Sequence, residues 1–330
     1  MMSSLSPLRK VLIVRFSSLG DIVLTSLAVR CIKKQLNCEV HYLTKKAFND
    51  IVSSNPYIDR VWLMDKALSE VLPALKDEHF DLVIDLHKNL RSRILRMHLW
   101  NIPVVSYYKA NLEKWLSVYF KTNHFPKAHI ALRYIRGLQQ YGVQDDGEGL
   151  DYFIPQKDQV TQENISKPFI AMVIGAAHYT KRLPLEKLKQ LSASLSNTYP
   201  VIVIGGKAEY ETGKQLESNN VFNTCGSYTI NQSASLLAQS ILVIAPDTGM
   251  MHIAAALKKP IRSIWGSTLS EFGFWPFYGS KHEDLNISFE VKDLYCRPCA
   301  RFGRDACPKG HFKCMQLQDM ELVRMSVIKE

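Results

Sequence analysis

The stretch Ile241-Leu242-Val243-Ile244-Ala245-Pro246-Asp247-Thr248-Gly249-Met250-Met251-His252 decides the fold class. An apolar run meets a polar turn, and a second apolar run, Ile253-Ala254-Ala255-Ala256-Leu257, follows. This reads as a buried strand, a tight turn and the start of a helix. Backbone N–H groups at a helix start lack intrahelical partners and can hold an anion. Asp247 can accept hydrogen bonds from sugar hydroxyls. The turn therefore suits a ligand carrying both hydroxyls and phosphates, against the plainer reading of an Asp N-cap closing a loop.

Outward from this stretch the same style recurs. The pattern predicts strands over 169–174, 201–204, 241–245 and 261–264, with helices over 185–195, 231–239 and 249–257. In the first half it predicts strands over 10–15, 39–43, 60–64 and 82–85, with helices over 21–36 and 91–99. Alternating strands and helices imply an α/β fold with parallel sheets covered on both faces. A chain of 330 residues fits two such domains. The polar segment 144–167 supplies the linker, giving domains 1–155 and 156–330, with the C-terminal segment free to pack back on the first domain. Two α/β domains would leave a cleft, where ligands commonly sit.

The composition, 46% apolar and 22% charged, is that of a soluble protein. No apolar run approaches the length of a spanning helix. The apolar run Val11-Leu12-Ile13-Val14 is too short for a signal peptide, so a cytoplasmic location is expected. The net charge of +10 is concentrated: residues 82–136 hold ten Lys/Arg and two acidic residues, Asp85 and Glu113. Such a block attracts a polyanion, unless it serves only solubility. No nucleic-acid-binding pattern accompanies it, so nucleic acid is not expected as a partner.

Three more loops carry chemistry. Arg15-Phe16-Ser17-Ser18-Leu19-Gly20-Asp21 follows the first strand and opens a helix. Asp21 is a candidate general base there, or a first-turn acid favoured by the helix dipole. Gly175-Ala176-Ala177-His178-Tyr179-Thr180-Lys181-Arg182-Leu183-Pro184 offers a hydroxyl and two cations for a diphosphate leaving group. Gly205-Gly206-Lys207-Ala208-Glu209 allows close backbone approach and a carboxylate for a ribose. None of these is GxGxxG or a Walker A loop.

Taken in order, Leu19-Gly20-Asp21, Leu86-His87-Lys88-Asn89-Leu90-Arg91-Ser92, Thr180-Lys181-Arg182-Leu183-Pro184, Gly205-Gly206 and Asp247-Thr248-Gly249-x-x-His252 resemble glycosyltransferase family 9. These are the ADP-heptose:lipopolysaccharide heptosyltransferases. The resemblance spans roughly residues 10–315. It implies a GT-B fold, with two Rossmann-like domains facing across a cleft, acceptor on the first and nucleotide sugar on the second. It implies inverting, metal-independent transfer of a heptose from ADP-heptose to a lipopolysaccharide inner-core acceptor, with no cofactor. Asp21 would be the base and Lys181 the phosphate-binding cation. Thr180, Arg182, Gly205, Glu209 (or Glu211 in a shifted register), Asp247, Thr248, Gly249, Met250 and His252 would complete the donor side. Ser18, Gly20, His87, Lys88, Arg91 and Arg93 would meet an anionic, lipid-linked acceptor. Family members often carry His-Pro-Gly before the lysine and Trp-Pro after it. Here Ile174-Gly175-Ala176 and Leu183-Pro184 stand instead, which bears on the donor more than on the reaction class.

Two features stand apart. Tyr108, Leu112, Trp115, Leu116 and Tyr119 share a helical face flanked by Lys109, Lys114 and Lys121. That face either packs on its domain, the favoured reading, or rests on the inner membrane. Cys296, Cys299, Cys307 and Cys314, with His311 nearby, are reduced structural thiols, a labile pair or a structural zinc set; no other metal is expected. The competing functions are a transferase for another nucleotide sugar, a nucleotide-sugar-binding protein without turnover, and an oxidoreductase, which the absent GxGxxG disfavours.

Overall fold

Strands that are apolar along their whole length must be covered on both faces, and both halves of the chain obey this rule. The computed structural model describes residues 7–161, 165 and 168–328. They form two units. The first holds the chain up to Lys109, with Ala128–Phe153 and Gly279–His282. The second holds Ala110–Lys127, Ile154–Tyr278 and the chain from Glu283 onward.

In the first unit β1 (Lys10–Val14), β2 (Glu39–Lys45), β3 (Arg60–Met64), β4 (Leu82–Asp85) and β5 (Val104–Ser106) make a parallel sheet in the order β3-β2-β1-β4-β5. The chain runs outward from β1 to β3, then returns to the far side of β1 as β4. The gap beyond the carboxyl ends of β1 and β4 is thus a topological switch point, where open α/β sheets bind ligands. The helix expected over 21–36 is in two parts, Leu19–Val23 and Ser26–Leu36. At the break Thr25 Oγ1 donates to Ile22 O at 2.7 Å and meets Tyr42 Oη at 2.9 Å. A β-branched hydroxyl competing for the backbone interrupts the helix.

In the second unit β6 (Ile170–Val173), β7 (Val201–Ile204), β8 (Val221–Asn223), β9 (Leu242–Pro246), β10 (Ile261–Trp265) and β11 (Asn286–Glu290) are parallel in the order β11-β10-β9-β6-β7-β8. Its switch point lies beyond β6 and β9. The C-terminal segment stays with this unit, where helix Met320–Ile328 packs on helix Leu185–Ser196.

Two segments depart from the expected division at residue 155. Residues 110–127 join the second unit and 279–282 the first. The latter is anchored by Lys281 N donating to Gly147 O at 2.9 Å. At Gly279, with φ of +87°, a Cβ would meet Gly147 O at 2.2 Å, so only glycine fits. Of the expected linker 144–167, residues 162–164 and 166–167 lie outside the described residues. Its beginning is structural, because Asp146 and Asp151 both accept from the buried Arg30.

Candidate active site

At the first switch point the loop after β1 and the loop after β4 are stitched together. Leu86 N donates to Val14 O at 3.2 Å, and the Arg15 guanidinium donates to Leu86 O. Arg15 is 6% exposed, and its NH2 pairs with Asp21 Oδ1 at 2.6 Å. The other oxygen, Asp21 Oδ2, accepts from Ser18 Oγ at 2.7 Å and Ser18 N at 3.3 Å. Burial pushes the Asp21 carboxyl up, but Arg15 and the two Ser18 donors outweigh it and hold the pKa below the usual value. A quarter of the side chain still reaches solvent. The carboxylate is ionised, fixed and accessible, as a base must be.

The loop after β4 is built around Asp85, which is fully buried and accepts from His87 N at 3.0 Å, Lys88 N at 2.7 Å and Ser92 Oγ at 2.7 Å. This sets the His87 ring edge-on to Phe16, 5.0 Å between centroids. Burial, then the Arg15 and Lys109 cations, lowers the His87 pKa to about 4, so the ring is neutral. Its Nδ1 is buried with no hydrogen-bond partner. His87 lines an open pocket of about 550 Å³ together with Phe16, Ser17, Lys45, Lys66 and Arg91. Three cations in one pocket suit an anionic ligand.

The expected acceptor residues divide. Ser18, His87 and Arg91 lie in or beside this arrangement, and Gly20 sits inside the first helical turn beneath it. Lys88 is committed elsewhere, its Nζ donating to Tyr107 O at 3.0 Å. Arg93 lines a different groove, with Arg96 and Trp100. The correction is geometric: residues two apart on a helix point about 200° apart. Arg15, Lys45, Lys66 and Asp85 were not anticipated. An arginine directly after the apolar run of β1 was the one visible signal.

At the second switch point the loops after β6 and β9 meet through an ion pair. Lys181 Nζ lies 2.6 Å from Asp247 Oδ2, and both side chains are mostly buried. Thr268 Oγ1 donates to the same oxygen at 2.9 Å, a contact the sequence did not announce. Thr248 stands at the N-cap position of helix Gly249–Ala256 without a side-chain capping bond, and the first helical residues, Gly249 and Met250, are partly exposed. Their amides belong to the turn that lacks intrahelical partners. A cation, a carboxylate and free amides are thereby gathered at one point.

Other expected donor residues serve the protein itself. Thr180 is 1% exposed; its hydroxyl accepts from Ser267 Oγ at 2.9 Å and Arg304 N at 2.8 Å. It pins the loop and cannot reach a ligand. His252 is 3% exposed, on the inward face of its helix beside Met251 and Ile253, and is likewise withdrawn. Glu209 holds Arg182 NH1 at 3.1 Å and Gly206 N at 2.9 Å, leaving Glu211 as the exposed acid of the pair. A Cβ on Gly205 would meet Cys225 Sγ and Glu209 Cβ at 2.8 Å, so its smallness serves internal packing.

Among the described residues no three His, Cys, Asp or Glu side chains converge to hold a metal ion. The four-cysteine zinc set is therefore not assembled. Cys314 is buried in the hydrophobic core, while Cys296 faces His311 Nε2 at 3.7 Å. The segment instead packs on the Lys181 loop, with Thr180 N donating to Arg304 O and Tyr179 stacked on Phe312. The aromatic face over 108–119 does not pack as expected: Leu112, Trp115 and Tyr119 are exposed, while Lys114 is buried against Phe274. No helix among the described residues is long and apolar enough to cross a membrane.

Two parallel-sheet α/β units place the chain in the GT-B class of its structural neighbours. Residues 69–301 match the model of glycosyltransferase family 9 (heptosyltransferase). Lipopolysaccharide heptosyltransferase 1 of Campylobacter coli is 25% identical over 79% of this chain and 85% of its own length. A solved family 9 glycosyltransferase from Veillonella parvula superposes with a TM-score of 0.76 at 21% identity, covering 97% and 96% of the two chains. The E. coli heptosyltransferase WaaC, solved with ADP-2-deoxy-2-fluoro heptose, gives 0.67 at 18%, covering 97% and 99%. The chain belongs to glycosyltransferase family 9, the heptosyltransferases, and is an enzyme of glycosyl transfer.

Proposed function

We propose that this enzyme moves a heptose from ADP-heptose to a lipopolysaccharide inner-core acceptor with inversion at the anomeric carbon. The observation that carries the reading is the Lys181–Asp247 pair at the head of helix Gly249–Ala256. The ADP-heptose analogue held by the E. coli neighbour supports the donor. The acceptor hydroxyl gives its proton to Asp21 as its oxygen bonds to the anomeric carbon. The bond from that carbon to the β-phosphate oxygen breaks, and the electron pair leaves with ADP. Lys181 and the amides of Thr248, Gly249 and Met250 steady that developing charge. Asp247 holds the sugar hydroxyls, and Glu211, the exposed acid beside the Glu209–Arg182 pair, takes the nucleotide side. His87 and Arg91, with Lys45 and Lys66, receive the acceptor's anionic groups. This chemistry asks no metal of the protein. The enzyme works at the cytoplasmic face of the inner membrane, where a lipid-linked acceptor is presented.

Thermal unfolding with a panel of nucleotide sugars tests the donor, because a ligand specific to the folded state raises Tm. ADP-heptose is expected to raise it and UDP- or GDP-sugars are not. A response only to another nucleotide sugar would replace heptose in this scheme. Binding without transfer to any core acceptor would demote the chain to a binding protein.

A further inference from the structure

Helix Leu90–His98 buries one side and leaves an apolar stripe bare. Ser92, Leu95 and Leu99 face the core. Leu90 (73% exposed), Ile94, Met97 (74%) and Trp100 (83%) face solvent. Spacings of three and four residues put Leu90, Ile94 and Met97 on one side of the helix, and Trp100 follows two residues past its end. Arg93 and Arg96 edge an open groove of about 510 Å³ whose other walls include Met97, Trp100 and Ile102. No acidic residue occurs anywhere between Leu86 and Leu112. Exposed apolar side chains on this scale mark an interaction surface. A bare aromatic and aliphatic stripe beside unopposed arginines matches a helix lying in the headgroup layer of an anionic bilayer.

We infer that the outer face of helix Leu90–His98, with Trp100, docks the enzyme on an anionic phospholipid surface. The inference rests on the proposed lipid-linked acceptor and deepens it. Leu90, Arg91 and Ile94 of the same helix line the pocket beside His87, so one helix borders both the acceptor pocket and the bilayer. A lipid-borne sugar then reaches the pocket without leaving its membrane. The other exposed aromatic face, on helix Asn111–Phe120, lacks the cations: Lys114 is buried, and Lys121 Nζ donates to Cys296 O and Pro298 O.

Sedimentation of the full chain with vesicles, without donor or acceptor, separates this claim from the reading of the reaction. Binding is expected to phosphatidylethanolamine–phosphatidylglycerol vesicles and not to phosphatidylcholine vesicles. It should fall at least tenfold in Met97→Ser/Trp100→Ser and in Arg96→Glu. Both variants should keep wild-type transfer to a delipidated acceptor, which also shows that they fold. Brominated lipids should quench tryptophan emission in the wild type and much less in Trp100→Phe. Equal binding to both vesicle types, binding unaffected by these substitutions, or quenching lost in Trp115→Phe instead would overturn the assignment.

Discussion

The Arg15 guanidinium, buried at the end of β1, grips Asp21 at 2.6 Å and Ser17 O at 2.8 Å. The pair fixes both the direction and the charge of the carboxylate. In the inverting transfer proposed above the base need not be strong beforehand, since the acceptor hydroxyl becomes acidic only as its oxygen bonds to carbon. It must be ionised and in place.

Asp21→Asn should therefore lower kcat by about 10²–10⁴-fold while leaving ADP affinity unchanged. The pH dependence carries the sign. Asp21 has a depressed pKa, so activity is present above that value and lost as pH falls through it. In Arg15→Met the burial that Arg15 now outweighs acts with less opposition, and the acid limb of kcat/KM moves to higher pH. An acid limb that stays put in Arg15→Met would detach Asp21 from the proton transfer.

His87 should remain neutral well below the usual imidazole range. Its pKa of about 4 reflects burial first and the neighbouring Arg15 and Lys109 second. The ring then enters neutral pH with one nitrogen able to accept, and its buried Nδ1 awaits a partner. Nitrogen-15 NMR of the imidazole is expected to show no protonation between pH 5 and 8, in units where a free histidine titrates near 6.5. Acceptor analogue should shift the His87 resonances. Titration near the free value would mean that the pocket is wetter than its packing implies.

Much of this was legible in the chain. The all-apolar runs of β1, β4, β6, β7 and β9 announced covered parallel strands, and their order placed Asp21, His87, Lys181 and Asp247 after strand ends. What escaped was set by tertiary context. Strand β11, Asn-Ile-Ser-Phe-Glu, lies at the sheet edge with its middle residues exposed, so it lacks the apolar pattern. Thr180 sits in the right loop and His252 on the right helix, yet which side of either faces the core cannot be read from spacing alone. Lys45 and Lys66 are far in sequence from Arg91 and meet it only because β2 lies beside β1 and β3 beside β2 in one sheet.

The Lys181–Asp247 pair predicts a split between nucleotide and sugar. Lys181→Met removes a charged contact of about 2 kcal/mol and should weaken ADP binding by roughly 30-fold. Asp247→Asn should leave ADP binding equal or tighter, because it releases Lys181, while weakening ADP-heptose. Thr268→Val loosens Asp247 by one hydrogen bond. The cost, about 1 kcal/mol, should appear as a roughly fivefold loss for ADP-heptose and none for ADP. Calorimetric titrations with both ligands check the pattern. Equal losses for ADP and ADP-heptose in Asp247→Asn would remove the sugar from that carboxylate.

Arg30 gives a prediction about stability. Its side chain is 2% exposed and is held by Asp146 at 2.8 Å and by Asp151. Removing one partner leaves a buried cation short of acceptors, so Asp146→Asn should cost about 2 kcal/mol. For a domain of this size that is a Tm drop of about 4–8 °C. Burial opposes ionisation of Asp146, but its bonds to Arg30 prevail and lower its pKa to about 2. A depressed carboxylate stabilises fully above its unfolded value of about 3.9 and loses that contribution as pH falls to about 2. The gap in Tm between wild type and Asp146→Asn should thus be constant from neutral pH to about pH 4 and then close. Circular dichroism melts across that range measure it. A gap that persists unchanged at the acid end would show that Asp146 acts through packing and not through its charge.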